Sequence, residues 1–392
     1  METLPVAERT AFSPKGDASV PLALPVDPKS QPSYRRLGAH ECLCLAVEAS
    51  SVGNLLAAEA RSVLQQAEGR KLCAEKSRHT ASVNAQILTY LAEEDRNRSA
   101  AKALDLFFRL GQAEAETDIL RVTLTHVGDA LSKARDLKSK GLEVPVSDTT
   151  LHRQQLDLQA RAVKLRIQIE ELNSELRRLL DFEPVKGEWR FLPFDAFHLE
   201  GHAVDPDEAV ATALANKPEL LLLSLLESES TSGDLKALRQ QLRMLNSVLG
   251  QSPMAKCPKL QQLLAALCGS SGDELAIRQQ QLREYHAQRR REVAEEVRQA
   301  ARTVLTQPAV VVLTQQRAAS WRERVQEMEE KEAKGVSSFA ETTDARVEWL
   351  KVRRNVVEEI IGLQRARVRL RQAQGILPRQ CQPSPSNCCP SR

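Results

Sequence analysis

The reading of the fold turns on Leu158-Gln159-Ala160-Arg161-Ala162-Val163-Lys164-Leu165-Arg166-Ile167-Gln168-Ile169-Glu170-Glu171-Leu172-Asn173-Ser174-Glu175-Leu176-Arg177-Arg178-Leu179. Within it Leu158, Ala162, Leu165, Ile169, Leu172, Leu176 and Leu179 recur at alternating steps of four and three. A strict 3.5-residue repeat keeps one apolar stripe on one side of a helix, which is the seam of a left-handed coiled coil. Arg161, Lys164, Glu170, Glu171, Glu175, Arg177 and Arg178 fall between the seam positions.

Upstream, Leu120, Leu124, Val127, Leu131 and Ala134 repeat the same spacing. The two runs are joined by Lys140-Gly141-Leu142-Glu143-Val144-Pro145-Val146-Ser147-Asp148. Gly141 suits a left-handed C-terminal cap, and Lys138 and Lys140 suit the negative end of a helix. Pro145 blocks early re-entry, and Ser147 or Asp148 is a good N-cap for the return arm. The result is a long antiparallel helical hairpin, with arms of about 40 residues spanning roughly 60 Å.

The hairpin occurs twice. A second outgoing arm carries Val293, Val297, Ala300 and Val304, is interrupted at Pro308, and resumes with Ala318, Trp321, Val325 and Met328. It ends at Lys334-Gly335, and a return arm starting near Asp344 carries Val347, Leu350, Val356, Ile360, Leu363, Leu370 and Ala373, with Arg353 and Arg367 intruding. The turn glycines stand 194 residues apart (335 − 141). We read this as a diverged internal duplication. A lone hairpin leaves apolar surface uncovered, so the two are expected to pack on each other or on other subunits.

Composition agrees. Aromatic residues are 4% of the chain and Gly numbers 16, while charge is high at 27%. Large aromatics dominate ordinary globular cores, so long helices fit better than several compact domains. The 55 basic and 52 acidic residues nearly cancel, and the net of +3 gives no steer toward nucleic acid.

Seven segments follow from the pattern. Residues 1–35, with Pro5, Pro14, Pro21, Pro25, Pro28 and Pro32, read as a disordered leader, and residues 36–92 as N-terminal helices. The first hairpin takes 93–181, a connector 182–222, short helices 223–273, the second hairpin 274–376 and a disordered tail 377–392. No signal-like apolar run precedes the helices, and no stretch of 18 apolar residues occurs.

Taken together, these residues resemble the bacterial outer-membrane efflux proteins of TolC type. The resemblance rests on the duplicated Lys-Gly hairpin and on the connector Leu192-Pro193, Asp205-Pro206-Asp207-Glu208-Ala209 and Ala213-Leu214-Ala215-Asn216-Lys217-Pro218-Glu219-Leu220. It also rests on the ending Ala373-Gln374-Gly375. The family usually has Arg at the position of Lys217. The resemblance implies an all-α, TolC-like helical barrel element built from two repeats, a homo-oligomer (a trimer if channel-like), and residence in the outer membrane or periplasm. It further implies a periplasmic adaptor and an inner-membrane pump as partners, with the turn tips Gly141, Val144, Asp148, Gly335, Phe339 and Asp344 as the docking points. Membrane strands of the family alternate over about 9–11 residues. Residues 54–92 are helix-forming and residues 223–276 hold no alternating run, so little or no β is expected. A coiled-coil scaffold without a channel is the alternative, with a cytoplasmic location if no export signal exists.

No catalytic constellation, cofactor motif or metal site is read here. His198-Leu199-Glu200-Gly201-His202 lies among Gly and Pro and lacks a third ligand, so it reads as a loop. Cys42-Leu43-Cys44 reads as a buried or unpaired structural pair, and Cys388-Cys389 as part of a free tail. Arg289-Arg290-Arg291, with Glu292, Glu295 and Glu296 beside it, reads as a solvated helix face.

Overall fold

The computed structural model describes residues 3–4, 33–69, 75–142, 144, 147–182, 189–199, 204–230 and 271–381. Among them the chain is almost wholly helical. The elements run β1 (Thr3–Leu4), β2 (Ser33–Leu37), α1 (Ala39–Glu48), α2 (Ser51–Gly69), α3 (Glu75–Ser139), α4 (Asp148–Leu179), β3 (Trp189–Pro193), α5 (Pro206–Asn216), α6 (Pro218–Ser230), α7 (Ser271–Ala333) and α8 (Phe339–Ala373). A 3-10 turn at Pro378–Cys381 follows.

Four long helices form one layer. Helix α4 packs on α3, α3 on α8, and α8 on α7. The wall order is therefore α4-α3-α8-α7, with α3 and α8 inside and α4 and α7 at the two edges. At 1.5 Å per residue the 65-residue α3 is roughly 100 Å long.

The outgoing seam is buried throughout, at Leu120, Leu124, Val127, Leu131 and Ala134. The return seam buries Leu165, Ile169, Leu172 and Leu176, with Leu158 and Ala162 half-buried beside Leu120 and Leu124. Helix α8 explains why its stripe looked irregular. It buries Ile360, Leu363, Ala366 and Leu370 in one cluster and Ile361 and Val368 in another. A helix gripped from two sides needs two apolar stripes, and their overlap blurs a single 3.5-residue repeat. Of the intruders, Arg353 stacks over Trp349 at 5.0 Å.

Several boundaries move. The N-terminal helices expected over 36–92 open with two, α1 and α2, bent by 47° at the Ala49-Ser50 break. Helix α3 begins at Glu75, and α7 begins at Ser271 and continues through Pro308, whose ring faces solvent. An exposed proline costs the helix one hydrogen bond without ending it, and Val304 and Val311 on either side of it are buried in one cluster. The second return arm starts at Phe339, not near Asp344. Ser338 caps it in a box with Glu341, each side chain meeting the other's backbone N–H.

Described residues within both end segments take up structure. Strand β2 begins inside the 1–35 leader and pairs antiparallel with β1 and parallel with β3, Tyr34 opposite Arg190. The connector supplies that partner strand from 156 residues away (190 − 34), and Arg35 stacks on Phe182 and Trp189 at 4.4 and 5.8 Å. Past α8, Leu377 is fully buried and Pro378–Cys381 forms its turn, so the tail boundary at 377 falls too early. Residues 382–392 lie outside the described residues, as does most of the 223–273 segment.

No single helix among the described residues is long and apolar enough to cross a membrane. Residues 51–69 and 75–92, where the resemblance implies a pair of strands, are helical.

Candidate functional site

Each hairpin tip is built by the same cap. At the end of α3, the N–H of Leu142 donates to the Leu137 carbonyl at 3.0 Å and that of Gly141 to Lys138 at 3.1 Å. At the end of α7, Val336 donates to Lys331 at 2.9 Å and Gly335 to Glu332 at 2.9 Å. Both glycines have φ of +70°. This is the Schellman arrangement, which satisfies the last carbonyls and needs a left-handed residue.

The cap throws one apolar side chain outward. Leu142 is 54% exposed and Val336 is 75% exposed, and each directly follows its turn glycine. Val144 and Phe339, by contrast, pack together against Ala130, Leu131, Ala134 and Leu151. The structure thus brings the two tips into one cluster, with Val144 and Phe339 as the inner contact and Leu142 and Val336 as the outer points. Sequence reasoning passed over Leu142 and Val336. The signal was present, since an apolar residue stands directly after Lys-Gly in both copies.

Charge fastens the same end. Lys133 of α3 meets Glu332 of α7 at 3.3 Å, tying one hairpin to the other, and Arg346 grips Glu329 with two nitrogens at 2.9 and 2.6 Å. Lys138 meets Asp148 at 3.3 Å across the first turn and holds its carboxyl below the ordinary range. Ser337 and Ser338 do the same for Glu341. Burial pushes Glu332 up, but hydrogen bonds from Thr342 and Lys133 more than offset it and leave the group lowered. Asp344 is exposed more than a turn inside α8 and is not part of the turn.

The far end is anchored through the connector. Asp205 caps α5 by accepting from the Asp207 N–H at 2.9 Å. Lys217, at the α5–α6 corner, is buried and reaches Glu296 of α7 at 3.1 Å. Arg289 grips Glu219 at 2.7 Å and also meets Glu292 and Glu296, so the basic run is a pinned ion-pair network at Arg289 rather than a freely solvated face. Gly375 closes the corner: a Cβ there would lie 2.8 Å from the Lys217 Cα and 2.8 Å from the Pro218 Cδ. His198 is exposed at the end of the β3 turn, and its carbonyl accepts from Gln364; Glu200 and His202 lie outside the described residues.

Each edge of the wall carries exposed apolar side chains, although α5 and α6 cover the first half of α7. Leu156, Val163 and Ile167 are exposed along α4, and Leu305, Val310, Val312 and Leu313 along α7. Between the hairpins a cleft of ≈ 100 Å³ has Ile119, Leu120, Leu158, Val347 and Leu350 as floor and Glu116, Arg161, Lys351 and Arg354 as rim. That is well below the roughly 300 Å³ of a usual small-molecule site. Among the described residues no three His, Cys, Asp or Glu side chains gather as metal ligands.

Solved structures share this architecture. The outer-membrane channel OprN aligns over 93% of this chain and 99% of its own, with TM-score 0.65 and 14% identity. The Campylobacter jejuni outer membrane channel CmeC aligns over 86% and 85%, with TM-score 0.64 and 10% identity. CusC, described with its transmembrane channel formation, aligns over 86% and 91%, with TM-score 0.62 and 13% identity. No family model and no curated protein matches the sequence. The chain therefore has a TolC-like fold, at an identity where only the fold is shared.

Proposed function

We propose that the chain is the passive, ring-forming component of an envelope export or efflux assembly, a homo-oligomer whose hairpin tips dock a periplasmic adaptor that in turn engages an inner-membrane pump. The observation that carries this reading is the exposed apolar side chains on both wall edges. Those of α4 (Leu156, Val163, Ile167) and those of α7 (Leu305, Val312, Leu313) differ from each other. Dissimilar sticky edges favour head-to-tail contact, which closes into a ring when the rotation fits. The resemblance to TolC-type proteins implies a ring of three. Leu142 and Val336, projecting from the joined tips, are the points we assign to the adaptor. No chemistry is asked of the protein; its work is done by shape.

Light scattering of the purified full chain in detergent tests the assembly. A trimer is expected, and a stable monomer at micromolar concentration overturns the reading.

A scaffold without a channel is favoured by one observation, the helices α2 and early α3 in the place of the first strand pair. Membrane fractionation separates the two: release by buffer alone supports the scaffold, and release only by detergent supports the channel component.

A further inference from the structure

The opposite ends of the chain meet at two cysteines. Cys44 on α1 and Cys381 at the end of the 3-10 turn are joined sulfur to sulfur, with Cα atoms 5.2 Å apart and 337 residues between them in sequence. Non-covalent packing brings them there. Leu43, Ala46 and Leu377 are buried in one cluster, with Cys381 packed against it. The start of α1 is fixed separately, because the Ala39 N–H donates to both oxygens of Asp195 at 2.9 and 3.0 Å.

We propose that Cys44–Cys381 is a clasp made after folding, in an oxidising compartment, by thiol–disulfide exchange with an oxidised dithiol carrier, and that His40 makes Cys44 the sulfur that enters the exchange. His40 lies one turn before Cys44 on the exposed side of α1, its Nε2 3.7 Å from Sγ. As the neutral ring with Nε2 unprotonated, it accepts the thiol proton and leaves a thiolate, which is the attacking species. The Cys44 thiolate attacks one carrier sulfur and expels the other as a thiolate, which takes that proton. The Cys381 thiolate then attacks the Cys44 sulfur of the mixed disulfide and expels the second carrier sulfur, which takes the proton of Cys381. Two chain thiols become a disulfide and the carrier leaves as a dithiol, so electrons and protons balance.

Cys42 is excluded from this exchange. It stands two residues from Cys44, on the opposite side of the helix, fully buried. Burial, and then the charges of Asp195 and Glu41, push its thiol well up. The segment therefore presents one reactive sulfur and one inert sulfur. Persistent disulfides belong to oxidising compartments, so the clasp bears on the envelope location proposed above, but it holds whether or not the chain forms a ring.

The test blocks free thiols by alkylation as cells are opened and maps peptides without reduction. The expected result is Cys44 joined to Cys381, with Cys42 alkylated only after denaturation. Recovery of Cys44 and Cys381 as free thiols, or of Cys44 joined to Cys388 or Cys389, overturns the proposal. In refolding of the reduced full chain with oxidised glutathione as probe, His40→Ala should slow closure at pH 7 several-fold while reaching the same product. An unchanged rate removes His40 from the step. Reductant should lower the melting temperature of the wild type and leave Cys381→Ser unaffected; equal responses overturn the clasp.

Discussion

Asp181 and Gly375 are the same position in two copies of one structure. Asp181, with φ of +56°, ends α4 as Gly375, with φ of +71°, ends α8. Phe182 donates to the Arg177 carbonyl at 2.9 Å, as Ile376 donates to Arg371 at 3.3 Å. The two stand 194 residues apart (375 − 181), the spacing of Gly141 and Gly335 (335 − 141). Both return arms thus run 40 residues from cap to cap (181 − 141 and 375 − 335).

The two caps differ in what surrounds them, and substitution should show it. Gly375→Ala puts a Cβ against the Lys217 Cα and the Pro218 Cδ in a left-handed conformation. We expect it to lower stability by at least about 2 kcal/mol in denaturant unfolding. Asp181→Gly relieves the left-handed conformation and should change stability by less than about 0.5 kcal/mol. Equal effects would contradict the account.

Neighbouring residues on α4 should behave oppositely. Ile169 is 2% exposed in the seam and Ile167 is 51% exposed on the wall edge. Ile169→Asp, like Leu165→Asp, buries an unpaired charge and should cost about 3 kcal/mol or more. Ile167→Asp should leave the melting temperature of the isolated chain unchanged and shift the oligomer toward monomer. Normal stability of Ile169→Asp would refute the seam.

At the tips, packing and docking separate by residue. Phe339→Asp should loosen the joined tips and speed hydrogen exchange there, because Phe339 fills the cluster with Val144. Leu142→Asp and Val336→Asp should leave stability within about 0.5 kcal/mol, as exposed substitutions usually do. They should weaken co-purification of a periplasmic adaptor. Loss of folding in these two would show that the side chains are not outward points.

Acid should open the tips. Asp148, Glu332 and Glu341 all have lowered carboxyl values in the folded chain. A depressed folded value means stability that is present above the ordinary carboxylate range and lost as pH falls through the folded value. Exchange at the tips should therefore accelerate below about pH 4. Glu341→Gln should reduce the acid sensitivity of the second tip to the part that Glu332 supplies, and a flat pH profile in the wild type would refute these pairings.

Much of this was readable from local pattern. The seam of Leu165, Ile169, Leu172 and Leu176, the caps at Gly141 and Gly335, and the helix start at Asp205-Pro206 depend on residues within one or two turns of each other. The start of α8 was also local, in Ser338-Phe339-Ala340-Glu341, and was passed over for Asp344. The strand at Ser33 was not readable, because its ladder partner at Trp189 is remote.

The sequence by itself determined that the chain is two helical hairpins in tandem, because helical period and cap chemistry act over short windows. Only the tertiary structure decided the wall order α4-α3-α8-α7, the outward aim of Leu142 and Val336, and the meeting of Cys44 with Cys381. Those depend on which apolar faces find each other across hundreds of residues, and periodicity records that a face is apolar without recording what covers it.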